Sequence, residues 1–172
     1  GFDARAVAHQ AASFGPMPQR LQTLGTRDGF TCIKDSTGTT PQAARAALDH
    51  VAGQRVAILL GGHERGLDWT AFARDVAKHP PHALVTMGAS GHRVADTLDM
   101  HGLTDRVHRC TTIDTAVAAA RASLGERGVL LLSPGAPSFG AFRDYAERGR
   151  RFAELCGYDP AAIATIEGLG IA

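Results

Sequence analysis

Three short loops carry most of the side chains of this chain that could bind a charged ligand. Their sequences are DSTGTT at residues 35–40, GGHERG at 61–66 and SPGAPS at 133–138. Each loop follows a short apolar run that is typical of a buried β-strand. Because ligands of open parallel α/β sheets bind outside the carboxyl ends of the strands, we expect the three loops to form one shared site.

Each loop offers a different contact to a ligand. The first loop holds the carboxylate of Asp35 and several hydroxyls, including that of Thr39. Thr40 precedes a proline and could simply cap a helix. Arg65 in the second loop has a planar guanidinium that can hold a carboxylate through two hydrogen bonds, or it could pair with acidic Glu64 or Asp68 on the surface. The third loop ends at a serine, at the predicted start of a helix, where free N–H groups favour an anion.

That serine, Ser138, has two possible roles. As the first cap of the helix it would stabilise the fold by about 1 kcal/mol whether or not a ligand binds. Signatures of several other activities are absent from the sequence: neither lysine lies in a Walker-type phosphate loop, no histidines show helical metal-site spacing, and no Gly-x-Ser-x-Gly segment occurs. We therefore expect no metal site in this chain and no tight binding of ATP by the chain alone.

The elements that must position these loops alternate along the chain. Apolar β-rich runs alternate with segments of helical period, which predicts a Rossmann-like α/β fold with a mainly parallel six-stranded sheet and helices on both faces. An Asp-Gly turn joins the first two strands into a hairpin, so one of them should be antiparallel. The predicted strands are 20–24, 30–34, 56–60, 83–87, 106–109 and 129–132, and the predicted helices are 41–51, 69–77, 91–101, 113–124 and 138–156.

The last predicted helix has the clearest pattern. Apolar residues recur on it at three- and four-residue steps and should face the core, whereas its charged residues should face solvent. The predicted core face consists of Phe142, Tyr145, Ala146, Gly149, Phe152, Ala153 and Cys156, and the predicted polar face of Arg143, Glu147, Arg148, Arg150 and Glu154.

The composition indicates one domain that binds neither nucleic acid nor a membrane. The 172 residues are 44% hydrophobic, enough for one self-sufficient core, and a formal net charge of +1 builds no field that attracts a polyanion. The apolar runs are far shorter than the roughly 20 residues that span a bilayer, and no signal-peptide pattern is visible. Three cysteines without metal spacing fit buried side chains in a reducing compartment, so we expect a cytoplasmic protein.

The first residues of the sequence differ in pattern from the rest of the chain. Residues 1–14 look helical, and the breaker run Gly-Pro-Met-Pro follows them. We expect residues 1–15 to be the tail of a preceding domain and its linker, and residues 16–172 to form the domain that carries the three loops.

Three longer segments resemble the signatures of one protein family. They read IKDSTGTTPQAA, LLGGHERGLDW and LLSPGAPSFGAFRDYAERGRRF, and in order and spacing they resemble the last domain of the UDP-N-acetylmuramoyl-L-alanine glutamate ligases, the Mur-type ligases of peptidoglycan synthesis. The resemblance implies that an N-terminal domain binds the uridine nucleotide and that a central domain carries the phosphate loop for ATP and Mg²⁺. This chain contains neither of these two domains. In the family, the last domain, which this chain resembles, closes over the other two and brings the incoming amino acid.

The resemblance also implies a reaction and individual roles. Phosphate passes from MgATP to the carboxylate of UDP-N-acetylmuramoyl-L-alanine, and the amine of glutamate attacks the acyl phosphate to form an amide. The last domain orients the amine and closes the site, so we expect this chain alone to be inactive. Positions that contact the nucleotide are matched by Arg20 and Asp35, and positions around the incoming glutamate by Thr39, Arg65, Ser138, Phe139 and Tyr145.

Several residues depart from the D-glutamate-adding members. Those enzymes usually read Asp-Ser-Lys-Ala-Thr-Asn where this chain has Thr37, Gly38 and Thr40, and they carry lysine at Arg65 and commonly phenylalanine at Tyr145. An arginine keeps the charge of lysine but fixes a bidentate geometry. The whole pattern resembles the less common branch that adds L-glutamate, whose product a partner enzyme epimerises. The alternatives are a D-glutamate ligase and a stand-alone carboxylate-binding α/β module without catalysis.

Overall fold

The computed structural model describes residues 19–163 of the chain. Strands and helices alternate along this part, as parallel strands with crossover helices require. The strands are β1 (Gln22–Arg27), β2 (Phe30–Lys34), β3 (Val56–Leu60), β4 (Ala83–Thr86), β5 (Val107–Arg109) and β6 (Gly128–Leu132). The helices are α1 (Pro41–His50), α2 (Thr70–Val76), α3 (Gly91–Met100), α4 (Ile113–Leu124), α5 (Tyr145–Leu155) and α6 (Pro160–Ile163), with a 3₁₀ turn at Thr104–Arg106.

The six strands form one sheet in the order β1-β2-β6-β3-β4-β5. Only the β1–β2 pair of this sheet is antiparallel, and the other four pairs are parallel. The hairpin turn has two residues, Asp28 and Gly29, both with positive φ (51° and 83°), as a turn that matches the strand twist requires. The predicted mainly parallel sheet and its antiparallel hairpin are therefore confirmed.

Helices cover both faces of the sheet, as predicted. One core cluster joins α1, α2 and α3 to the face that carries Ile58, and the other joins α4 and α5 to the face that carries Leu59. The two side chains point in opposite directions because successive residues of a strand alternate between faces. The second cluster also contains Cys32 and Cys156, which are buried as expected, whereas Cys110 is only partly buried. Along residues 19–163, no helix is long and apolar enough to cross a membrane.

Most element bounds agree with the sequence-based prediction to within one or two residues. Helix α4 has the predicted bounds, while β1 begins two residues later than predicted and extends to Arg27, so Arg20 precedes the strand. The 3₁₀ turn and α6 were not predicted. The expectation for residues 1–15 lies outside the described residues.

The predicted start of the last helix at Ser138 was wrong. Helix α5 begins seven residues later, where the Asp144 carboxylate caps it by accepting a hydrogen bond of 2.7 Å from the Glu147 N–H. Before it, Phe142 N–H donates to Ser138 O in a single turn that does not continue, because Gly140 adopts a positive φ of 87°. Ser138 is therefore not the cap of α5. The sequence did carry a signal for the true cap, the Asp-x-x-Glu spacing. The prediction followed the helical periodicity instead.

The hairpin turn provides a test of backbone strain in the fold. We expect Gly29→Ala to lower the free energy of unfolding by about 2 kcal/mol or more, because an L residue is strained at φ 83° and its Cβ would lie 2.1 Å from Glu126 O. Gly53→Ala is the matched control: φ is 80°, but no atom lies within 4 Å of the added Cβ, so we expect about 1 kcal/mol. Urea unfolding of the three proteins measures both values. Equal losses would show that the Glu126 contact costs nothing.

Candidate functional site

The three candidate loops meet at the carboxyl edge of the sheet. Loop 61–66 is joined to loop 133–138 by hydrogen bonds from Gly61 N–H to Pro134 O (2.7 Å) and from His63 N–H to Pro137 O (2.8 Å). Loop 35–40 is joined to the same loop by the hydroxyl of Ser133, which donates to Asp35 Oδ2 at 2.7 Å. The predicted convergence of the three loops is confirmed.

A fourth loop, after β4, belongs to the same edge and was not predicted to contribute. Gly62 N–H donates to the Ser90 hydroxyl at 3.0 Å, and Ser90 N–H donates back to Gly62 O at 3.0 Å. Gly62 also packs tightly on the third loop, since a Cβ built on it would lie 2.4 Å from Pro137 O. The four loops therefore form one hydrogen-bonded rim.

A cleft of about 510 Å³ opens at this edge, on the side of the sheet covered by α4 and α5. Its volume lies in the range of small-molecule sites. The cleft lies at the carboxyl ends of β3 and β6, and the helices that follow these two strands pack on opposite faces of the sheet, as is typical of ligand sites in open α/β sheets. Of the candidate residues, Ser138 lines this cleft. The remaining lining includes Gly62, Gly88, Thr112, Phe142, Arg148 and Arg150.

The two aromatic candidates lie beside the cleft and are accessible to a ligand. The side chain of Phe139 is 60% exposed and makes an edge-to-face contact with the ring of His63, with 6.3 Å between centroids. Tyr145 is 51% exposed, which corrects its predicted place on the core face of the helix. The reason is that α5 begins at Tyr145, beyond the edge of the sheet. Phe152, about two helical turns later, is fully buried.

Arg65 projects from a loop whose acidic residues are already engaged. The Glu64 carboxylate accepts hydrogen bonds from Arg93 at 2.7 and 3.0 Å, and these bonds hold the pKa of Glu64 at about 2. The Asp68 carboxylate accepts from Thr70 N–H at 2.8 Å. Arg65 is exposed, and its guanidinium makes no hydrogen bond or ion pair with the part of the chain that the structure describes. The surface pairing considered for Arg65 is therefore not seen there.

The first loop places its candidates at different depths. Asp35 is buried beside Ser133; burial raises the pKa of its carboxyl, and the Ser133 hydrogen bond opposes that rise. Arg20 is exposed and acts on Asp35 electrostatically. Thr39 is half-buried, and Thr40 caps α1 by accepting a hydrogen bond from Ala43 N–H at 3.3 Å, as expected.

Arg148 was wrongly predicted to face solvent. It is only 1% exposed, and its guanidinium donates three hydrogen bonds to Ser36 and Ala136 in the first and third loops. Its position in the sequence could have indicated this burial, because it lies four residues before Phe152, on the same face of the helix. Within residues 19–163, no group of three or more His, Cys, Asp or Glu is placed to hold a metal ion.

Comparison with known proteins identifies the family. The model of the Mur ligase, glutamate ligase domain family matches residues 19–136, more than half of the chain. The chain belongs to this family. Solved structures agree in fold: this Mur ligase domain superposes with UDP-N-acetylmuramate-alanine ligase from Thermotoga maritima (TM-score 0.63, 18% identity, 91% of this chain and 34% of that one) and with MurF from Acinetobacter baumannii (TM-score 0.66, 14% identity, the same coverage).

Closer relatives in sequence are known. A protein of Xanthomonas euvesicatoria pv. vesicatoria, named UDP-N-acetylmuramoyl-L-alanine–L-glutamate ligase, is 52% identical over 174 residues, which cover 99% of this chain and 37% of that protein. A protein of the same name from Micromonospora is 38% identical over 157 residues, covering 88% of this chain and 33% of that protein. The Mur ligase domain thus spans little more than a third of the length of the curated relatives it matches.

Beside the site, the Mur ligase domain buries a lysine. Lys34 ends β2, is 1% exposed, and has its pKa lowered to about 8, first by burial and then by repulsion from Arg150. In the unfolded chain the ordinary pKa is 10.5. Between these two values the unfolded chain binds more protons than the folded one, so stability rises as the pH rises from 8 towards 10.5.

We therefore expect Lys34→Met to stabilise the domain near pH 7 by about 1 to 3 kcal/mol, because it removes a charge that is costly to bury. The variant should also lack the wild-type gain in stability between pH 8 and 10.5. Chemical unfolding across this pH range measures both effects. Lys78→Met, at an exposed lysine paired with Asp75, should change neither. A Lys34→Met variant that is less stable at pH 7 would contradict this assignment.

Proposed function

We propose that this Mur ligase domain holds the incoming glutamate of an ATP-dependent ligase that adds L-glutamate to UDP-N-acetylmuramoyl-L-alanine in peptidoglycan synthesis. The observation that carries this proposal is the exposed guanidinium of Arg65, which projects from the rim of converging loops while its acidic neighbours are engaged elsewhere. A fork of this kind suits a carboxylate, and glutamate has two. The names of the relatives, which specify L-glutamate, support the same substrate.

The other candidate residues fit complementary parts of the same substrate. Ser138, which is 5% exposed, lines the cleft, and we assign its hydroxyl to the second carboxylate. Thr39 offers a further hydroxyl from the first loop. The exposed rings of Phe139 and Tyr145 provide apolar surface for the methylene groups of glutamate. In this arrangement the domain orients the amine, which is a positioning role and not a covalent one.

The nucleotide substrates are assigned to other parts of a longer enzyme. The sequence contains no phosphate loop, so we assign the phosphates of ATP, with their Mg²⁺, to the central domain. Arg20 and Asp35 are proposed to contact the nucleotide from this side. We assign residues 1–15 to the tail of the central domain that holds ATP, and 16–172 to the glutamate domain. With nucleotide substrates, the ligase would act in the cytoplasm.

The stereochemistry of the amino acid is tested with the full-length enzyme. Phosphate release and product formation are measured with UDP-N-acetylmuramoyl-L-alanine, ATP and either L- or D-glutamate. We expect kcat/KM for L-glutamate to exceed that for D-glutamate by at least about tenfold, since misplacing one charged contact costs 1.5 kcal/mol or more. A preference for D-glutamate would assign the enzyme to the other branch of the family. Ligation of neither isomer would favour the non-catalytic carboxylate-binding module.

The role of Arg65 is tested with Arg65→Lys in the same enzyme. An ammonium keeps the charge but cannot reproduce the two parallel hydrogen bonds of a guanidinium, so we expect the KM for L-glutamate to rise about ten- to a hundredfold. The KM values for ATP and for the uridine nucleotide should change less than about twofold, because other domains hold these substrates. Arg74→Lys, on the exposed side of α2, is the control. If all three constants stay unchanged in Arg65→Lys, Arg65 is not part of the site.

A further inference from the structure

Arg148 connects several of the loops that form the rim. Its Nε donates to the hydroxyl of Ser36 at 3.2 Å, its Nη2 to Ser36 O at 2.7 Å, and its Nη1 to Ala136 O at 2.9 Å. Ser36 belongs to the loop after β2 and Ala136 to the loop after β6. One side chain from α5 therefore fixes the backbone of two loops that arrive from neighbouring strands.

The same network reaches two further parts of the rim. The Ser36 hydroxyl donates to Tyr145 O at 2.6 Å, so it fixes the first residue of α5. A Cβ built on Gly62 would lie 3.2 Å from Arg148 Nη1, which shows that the loop after β3 packs on the guanidinium. All the residues proposed to bind glutamate lie on segments that touch this network.

Stability alone does not account for a cation at this position. The acceptors of Arg148 are neutral, and burial lowers the pKa of its guanidinium to about 10, an effect that the nearby Asp35 partly opposes. It is therefore still charged at neutral pH. An apolar side chain of similar volume would fill the space without the cost of desolvating a charge, but it could not hold Ser36 and Ala136 at a fixed separation.

We propose that Arg148, acting through Ser36, is a positioning residue that holds the loops after β2 and β6 in the geometry needed to bind glutamate. Arg148 borders the cleft, but it is only 1% exposed and its guanidinium donors are directed to Ser36 and Ala136, so we assign its effect to the loop backbone. This inference rests on the proposed function, because it assigns a role to residues around the same glutamate site.

The test uses Arg148→Lys and Ser36→Ala in the full-length ligase. Lysine can reach only part of the acceptor set, so we expect the KM for L-glutamate to rise about tenfold or more, and less for Ser36→Ala, which leaves the guanidinium and two of its bonds in place. The KM values for ATP and the uridine nucleotide should stay within about twofold. The double variant should be less impaired than the product of the two single effects, because both substitutions break one network.

Hydrogen exchange in the same proteins gives a readout that does not depend on activity. Arg148→Lys should speed exchange of the loop amides of Gly38 and His63, which are now bonded to Asp35 O and Pro137 O, while the amides of β3 keep their protection. Arg45→Ala is the control, because Arg45 lies on α1, does not line the cleft, and pairs at the surface with Asp49 at 2.8 Å. It should change neither exchange nor any KM.

Two results would overturn the inference. One is an unchanged KM for L-glutamate in Ser36→Ala and in a folded Arg148→Lys. The other is a parallel change of all KM values with loss of protection throughout the sheet, which would make Arg148 a general stabilising residue. If the unmodified enzyme does not ligate glutamate, the proposed function fails separately. In that case, selective loosening of the two loops would still support the positioning role, and unchanged loop exchange would refute it.

Discussion

The architecture depends on the parallel pairing of β6 between β2 and β3. Strand β6 is the last strand in the sequence, yet it lies in the sheet between β2 and β3, which occur much earlier in the chain. From Val129 to Leu132 the strand is buried, because it is covered by helices on both faces. Its carboxyl end therefore emerges between the ends of β2 and β3. This insertion is what brings the serine-rich third loop into hydrogen-bonding contact with both other loops.

Three ionisable side chains are buried close to this junction, which is unusual for groups that are costly to desolvate. Asp35 is bonded by Ser133, and Arg148 is bonded by the backbone and hydroxyl oxygens of two loops. Lys34 lies on the strand that leads into them and has its pKa lowered by burial. Their charges partly compensate across the junction, since Asp35 favours the charged form of Arg148. Burial of these charged groups lowers the stability of the fold, while their hydrogen bonds fix the geometry of the loops.

The exposed loop after β3 is held by a separate set of hydrogen bonds. Glu64 is held by Arg93 of α3, whose guanidinium also donates to Leu67 O at 2.6 Å, so both ends of the loop after β3 are anchored on one helix. Arg65, between these anchors, is left free to project outward. A guanidinium supported by a rigid loop loses less conformational entropy on binding a ligand than one on a mobile loop. In the proposed glutamate site, the buried and the exposed arginine therefore have different roles.

The sequence by itself determined the fold class, the hairpin, most element bounds and the grouping of the three loops. These features follow from local periodicity, from the Asp-Gly turn and from the rule that parallel strands end at a common edge. The resemblance in three motifs was also sufficient to name the family. Contacts between distant residues were not accessible in the same way. The start of α5 at Tyr145 was missed because a positive φ at Gly140 interrupts a pattern that is otherwise helical.

Only the tertiary structure decided which charged side chains are buried, paired or free. Arg148 lies on the apolar stripe of α5, but its burial became evident only when Ser36, more than a hundred residues earlier, supplied its acceptors. Likewise, the freedom of Arg65 depends on Arg93 taking the neighbouring carboxylate, and the burial of Lys34 depends on α5 covering the end of β2. Periodicity reports which face a residue lies on. Whether a charge on that face is paired, buried or free depends on partners that the fold brings from elsewhere in the chain.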